Sequence, residues 1–146
     1  LTLLGQSDPA GWRAFGLLIV SSILLGAVFL GIGYLASGLV RERATAAGLA
    51  VAVWLVFVLL FDLALLGTLA ATEGRGVSPT AFSWLLMLNP ADVFRLLNLT
   101  AVEDVRAVAG MAGVAQVPPA VLMAVLLAWV AGPVALASLV FQRRQL

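Results

Sequence analysis

Residues 46–71 read AAGLAVAVWLVFVLLFDLALLGTLAA, an apolar run broken by one charge, Asp62. Crossing about 30 Å of hydrocarbon as a helix takes roughly 20 residues, and this stretch exceeds that. Residues 14–40 and 119–141 are as apolar and carry no charge at all. Buried helices of soluble domains rarely reach such lengths without a polar face. The sequence therefore predicts an all-α, polytopic integral membrane protein with three transmembrane helices, over about 14–40, 46–71 and 119–141.

Composition supports this and removes whole classes of function. Of 146 residues, 63% are hydrophobic and 10% charged, and mean hydropathy is +1.14. Soluble domains lie near 45–50% apolar and about 25% charged. A net charge of +1 offers no basic patch for phosphates, so nucleic acid is not a partner. Cys and His are both absent, which removes disulfides, thiol or His-activated nucleophiles and nearly all transition-metal sites. No Gly-rich, Lys-Ser/Thr phosphate loop is present. No catalytic residue, metal site or cofactor is expected. The chain opens on Leu1 without a basic region and short apolar core, so it does not begin as a signal peptide. We read it as the C-terminal part of a longer membrane protein.

Arginine sets the expected orientation. The turn between the first two spans carries Arg41 and Arg43, and the tail carries Arg143 and Arg144. Three spans put turn and tail on one side. The other side carries Asp8, Glu73, Asp92, Glu103 and Asp104, with four Arg thinly spread. The bias of positive charge toward the cytoplasm predicts a cytoplasmic turn and C-terminus, with residues 72–117 outside.

The outer loop, 72–117, is too long and too patterned for a linker. Ser78-Pro79 has the form of an N-cap followed by Pro at the first helical position, opening a short apolar helix over 80–88. Asn89-Pro90 repeats the signal and opens a second helix to Asn98, with Asp92 in its first turn. There Val93, Leu96 and Leu97 share one face, and Asp92, Arg95 and Asn98 the other. Thr100 and Glu103 have capping-box spacing for a third short helix ending near Gly110. Neither of the first two can span, so they are expected to be re-entrant or interfacial, dipping into the outer leaflet with Phe82 and Trp84 at interfacial depth.

Asp62 is the most informative residue, because a carboxylate at the centre of a span costs about 2.5–3.5 kcal/mol on insertion scales. It is a candidate path-lining, gating or proton-linked group, or else makes a helix–helix hydrogen bond or sits shallow enough to reach water, and no Arg or Lys lies within the spans to pair with it. Small residues recur four apart in the first span, as Ser22 and Gly26, Ala27 and Gly31, Gly33 and Ser37, a pattern for close helix packing. Gly132-Pro133 should bend the third span or free a carbonyl. Met87, Met111 and Met123 are scattered and read as packing.

The order of elements resembles the C-terminal half of the ABC-2 type permeases. Within that family, Leu39-Val40-Arg41-Glu42-Arg43-Ala44, the stretch from Gly48 to Trp54 with Asp62 downstream, and the run from Leu88 to Asn98 resemble the NosY-type permeases of nitrous oxide reductase maturation. The resemblance implies a bacterial inner-membrane permease working as a homodimer. Its implied partners are membrane lipid, a separate cytoplasmic ATPase and a periplasmic accessory protein. The complex would support assembly of the copper–sulfur centre of nitrous oxide reductase, by ATP-driven export of a sulfur species or by mechanical coupling to the periplasmic partner. On that basis Arg41 and Arg43 face the ATPase side, and Asn89, Asp92, Arg95 and Asn98 lie near the periplasmic partner. Asp62 and Trp54 lie within the bundle as intramembrane candidates. Two alternatives share the bulk features: an ABC-2 exporter of a drug, lipid or ion, and a non-transporting membrane scaffold.

The orientation is testable. In the Cys-free sequence, Gly76→Cys should react with a membrane-impermeant thiol reagent added to intact cells. Labelling only after lysis would invert the topology.

Overall fold

Helix α1 spans Pro9–Leu39 and α2 spans Arg43–Leu55. A π-helical turn over Val56–Leu60 joins α2 to α3, Phe61–Ala71. Two short helices follow, α4 over Pro79–Met87 and α5 over Pro90–Ala101, and then α6 over Pro119–Arg144. This computed structural model describes residues 9–73, 78–101 and 117–144. Among them all regular structure is helical, and three helical stretches are long and apolar enough to cross a membrane: α1, the continuous α2–α3 rod, and α6.

The predicted spans are found, each slightly longer at its charged or capped ends. The second has one feature that hydropathy does not reveal. In its middle the hydrogen-bond ladder widens, and the amide of Phe61 donates to the carbonyl of Val56, five residues back. Such a π-turn inserts a residue into the α-helical repeat and loosens it locally.

Helices α1 and α6 run parallel and pack closely. A side chain on Gly31 would sit 3.3 Å from Pro133 Cβ and 3.2 Å from Val134 Cγ2. Seven residues on, Gly38 faces Val140 and Phe141 in the same manner. At both places a Cβ would be tight and would press its neighbours back by a few tenths of an ångström, so glycine favours the close approach. The parallel register brings the Arg41–Arg43 turn and the Arg143 end of α6 to one end of the bundle, here the turn end. The opposite, loop end carries α4 and α5. Four other residues of the small-residue ridge make no such contact: a Cβ on Gly26 or Gly33 would meet nothing within 4 Å, and Ser22 and Ser37 are exposed.

Pro133 lies inside α6 without ending it. Lacking an N–H, it cannot donate to the carbonyl of Trp129 four residues earlier. Its ring is buried, and it packs at the Gly31 contact.

The core sits where α1, α5 and α6 meet: Val28 and Ile32 of α1, Leu86 of α4, Val93, Leu96 and Leu97 of α5, and Leu122 and Leu126 of α6. The second span is peripheral. Only Ala46 of α2 is buried, and no residue of α3. Thr100, expected to open a further helix, lies within α5, where its hydroxyl donates to the Leu97 carbonyl at 2.7 Å. The expected helix from there to Gly110 falls outside the described residues.

The glycine contacts give a paired test. Gly31→Leu should lower the stability of the purified protein by about 1–3 kcal/mol, the usual cost of overpacking. Gly33→Leu should change it by less than about 0.5 kcal/mol, away from such a contact. Thermal unfolding in detergent measures both, and equal losses would refute the α1–α6 seam.

Candidate functional site: a re-entrant hairpin joined to the second span by a polar chain

Helices α4 and α5 form a hairpin that enters the bundle from the loop end. Ser78 caps α4, its Oγ accepting from the Ala81 amide at 3.1 Å, and Pro79 takes the first helical position. Asn89 then caps α5: its Oδ1 accepts from the Ala91 amide at 3.0 Å, and its carbonyl accepts from Val93 at 3.0 Å. Both caps follow the sequence signals. What the sequence does not disclose is how deep the hairpin goes.

Asn89 Nδ2 donates to the Phe57 carbonyl at 2.8 Å. Phe57 lies at the midpoint of the Arg43–Ala71 rod, inside its π-turn. The hairpin tip therefore reaches half-depth. There the chain breaks its own helical ladder, and in hydrocarbon each polar group so freed costs several kcal/mol unless satisfied. One side chain from the third span and one from the tip itself supply the bonds. Trp129 of α6 donates its indole N–H to the Met87 carbonyl at 3.1 Å. The same indole meets the Phe57 ring edge-on, with centroids 5.3 Å apart at 79°. Among the described residues no buried side-chain nitrogen or oxygen lacks a partner.

From Asn89 a chain of polar groups runs outward toward the loop end. Asn89 Nδ2 also donates to Asp92 Oδ2 at 2.8 Å. Arg95 Nη1 donates to Asp92 Oδ1 at 3.1 Å and also to Asp62 Oδ2 of α3. The ion pair missing from the sequence reading is thus present: Arg95, assigned there to the outer loop, is the partner of Asp62. One guanidinium faces two carboxylates, so the cluster carries a formal charge of −1. Its inner end is dry and its outer end open: the Asp92 side chain is 7% exposed, against 30% for Asp62 and 46% for Arg95.

Asn98, about one turn further on, bonds to the first span instead. Its Nδ2 donates to Ser21 Oγ of α1 at 3.0 Å and to the Phe94 carbonyl at 2.8 Å. Ser21 lies twelve residues into α1, about 18 Å along its axis. The polar face of α5 therefore does not look outward, as an amphipathic pattern in water would. Asp92 is buried with Val93, Leu96 and Leu97, and polar α5 residues bond to the first and second spans. Of the four residues expected near an outside partner, Asn89 and Asp92 are buried, Asn98 is half-buried, and Arg95 is exposed.

Just beyond the tip, on the turn side, lies an apolar recess of about 530 Å³ between the three spans. Phe57 and Trp129 line it together with Ile32, Leu35, Val53 and Pro133. Trp54 is not brought to the polar chain: it is largely exposed on α2, and Arg41 and Arg43 are exposed at the turn end. No group of His, Cys, Asp or Glu among the described residues could hold a metal ion.

A polytopic chain with a basic turn and a re-entrant outer hairpin has a family. Residues 1–146 match the family model described as ABC-2 family transporter protein. The chain belongs to the ABC-2 transporter family. It is 46% identical over 134 residues to a protein of Stutzerimonas stutzeri named as a probable ABC transporter permease protein NosY, covering 90% of this chain and 48% of that protein. A Pseudomonas aeruginosa protein of the same name is 44% identical over the same shares of each chain. The chain spans about half the length of these relatives, and it is closely related to NosY-type permeases.

Asn89 is the residue on which this ABC-2 site most depends. Asn89→Ala removes the cap of α5 and the bonds to Phe57 and Asp92 at once. It should destabilise the protein by about 2–3 kcal/mol, the cost of leaving buried polar groups unpaired. Thermal unfolding of the purified variant measures this, and a loss below about 0.5 kcal/mol would show the tip to be held by other means.

Proposed function

We propose that this chain is part of the permease subunit of an ABC transporter that supports assembly of the copper–sulfur centre of nitrous oxide reductase. The observation that carries the reading is the identity of 46% and 44%, over 90% of the chain, to two NosY permeases. The permease sits in the bacterial inner membrane and carries no catalytic group. A separate cytoplasmic ATPase hydrolyses the nucleotide and engages the end bearing Arg41, Arg43 and Arg143. The loop end faces the periplasm and meets an accessory protein there, and a second permease copy completes the membrane subunit.

The geometry fits a permease whose outward side is shut. Phe57 and Trp129, tied to the hairpin tip, roof an apolar recess between the spans, and the Asp62–Arg95–Asp92 cluster stands above that roof. Whether ATP drives export of a sulfur species past this roof or transmits force to the periplasmic subunit, the second span and the hairpin are the parts that must respond. On this reading Asp62 is the intramembrane group closest to the path, and Trp54 faces a neighbouring helix of the assembled permease.

The decisive experiment deletes the full-length gene and purifies nitrous oxide reductase for its visible copper spectrum. Loss of the copper–sulfur centre alone, restored by the intact gene, is the expected result. A fully assembled enzyme would rule out the maturation role and leave an ABC-2 exporter of another substrate.

A further inference from the structure

The second span is held to the rest of the molecule unevenly. Its first half, α2, lies along α1, and at its middle Phe57 is fixed by the Asn89 amide and by the Trp129 ring. Beyond the π-turn, α3 has no buried residue. Leu65 meets the edge of the apolar core, and the polar tie from α3 to the hairpin is the Arg95–Asp62 ion pair. By contrast, α5 is seated deep against α1 and α6 through Val93, Leu96 and Leu97. Hairpin, first span and third span form one block, and α3 leans on it through Leu65 and a partly exposed pair of charges.

We infer that α3 is a hinged arm, with the π-turn Val56–Leu60 as its hinge, the dry Asn89–Phe57 bond as its pivot, and the Arg95–Asp62 ion pair as a releasable latch. Three observations carry this. A π-turn is a place where a helix can exchange hydrogen-bond register without unfolding, so bending concentrates there. The pivot lies on the buried Asn89, whereas the latch charges are 46% and 30% exposed, so parting them uncovers less buried polar surface than breaking the pivot would. Arg95 also keeps a second carboxylate, Asp92, on its own helix, so release of Asp62 leaves the guanidinium paired within α5. The latch thus opens without stranding the Arg95 charge.

Swinging α3 away from α5 opens a slot from the Phe57–Trp129 roof to the loop end. Its walls would carry Asp62 on one side and Asp92 and Arg95 on the other. The device concerns the mechanics of the chain and holds whichever species the permease serves.

The test uses the full-length permease in its assembled complex in lipid nanodiscs. Spin labels at Thr68 on α3 and Leu99 on α5 report the arm, and labels at Leu30 and Leu136 report the α1–α6 block. Labelled copies are diluted with unlabelled ones so that distances within one chain are read. With Arg95→Gln or Asp62→Asn, the Thr68–Leu99 distribution should shift to a longer separation, its population rising roughly 3- to 10-fold, the range set by single polar helix–helix contacts in membranes. Leu30–Leu136 should not move, and Arg95→Lys should return most of the short distance. An unchanged Thr68–Leu99 distribution overturns the latch. Broadening of both pairs together also overturns it, since the ion pair would then be a general packing contact. Neither result bears on the copper spectrum, so failure here is separate from failure of the maturation role.

Discussion

A polypeptide that turns around in the middle of a bilayer must satisfy the backbone groups that the turn exposes, because hydrocarbon offers them no partner. Everything distinctive in this structure follows from that constraint at one place, the tip between α4 and α5. The Met87 carbonyl takes the Trp129 indole, and the Asn89 side chain caps the next helix while its amide spans to Phe57 and Asp92. Asn is suited to the position, having one acceptor for the helix amide and two donors for the carbonyl and carboxylate. With the tip secured at half-depth, α5 can run back out between the first and third spans and bury Val93 and Leu97 completely.

The polar chain then has a structural logic as well as a candidate function. A carboxylate alone in a span is costly, and Asp62 is held by an arginine delivered from the hairpin rather than from another span. The same arginine stabilises Asp92, which the depth of α5 has taken out of solvent. Support and mobility are combined along one line, from a dry, fully bonded pivot to a wetter ion pair at the outer end. This line joins the hairpin to the span that runs back to the basic turn.

Much of the architecture was legible in the sequence. Hydropathy located the three spans, and Ser78-Pro79 and Asn89-Pro90 marked both short helices, since caps are local chemistry. Val93, Leu96 and Leu97 were legible as a buried face through their spacing. The pairing of Asp62 with Arg95 was not, because it depends on hairpin depth, and depth is fixed by contacts between residues far apart in the chain. The burial of Asp92 was not legible for a related reason: polar faces turn outward in water, while within a bundle they turn toward one another. The π-turn left no readable mark, since Val56–Leu60 is as apolar as its neighbours. Of the small-residue ridge in α1, Gly31 is used within the chain, while Gly26 and Gly33 face away from it.

The central claim is the depth of the hairpin tip, and a nitroxide scan from Ser78 to Ala101 in lipid bilayers tests it most directly. Collision with oxygen, which partitions into hydrocarbon, is compared at each site with collision with a water-soluble nickel chelate. The account predicts a V-shaped depth profile that is deepest at Leu88 and Asn89 and returns toward the surface along α5. A flat profile at headgroup depth, with both helices lying on the membrane, would contradict it.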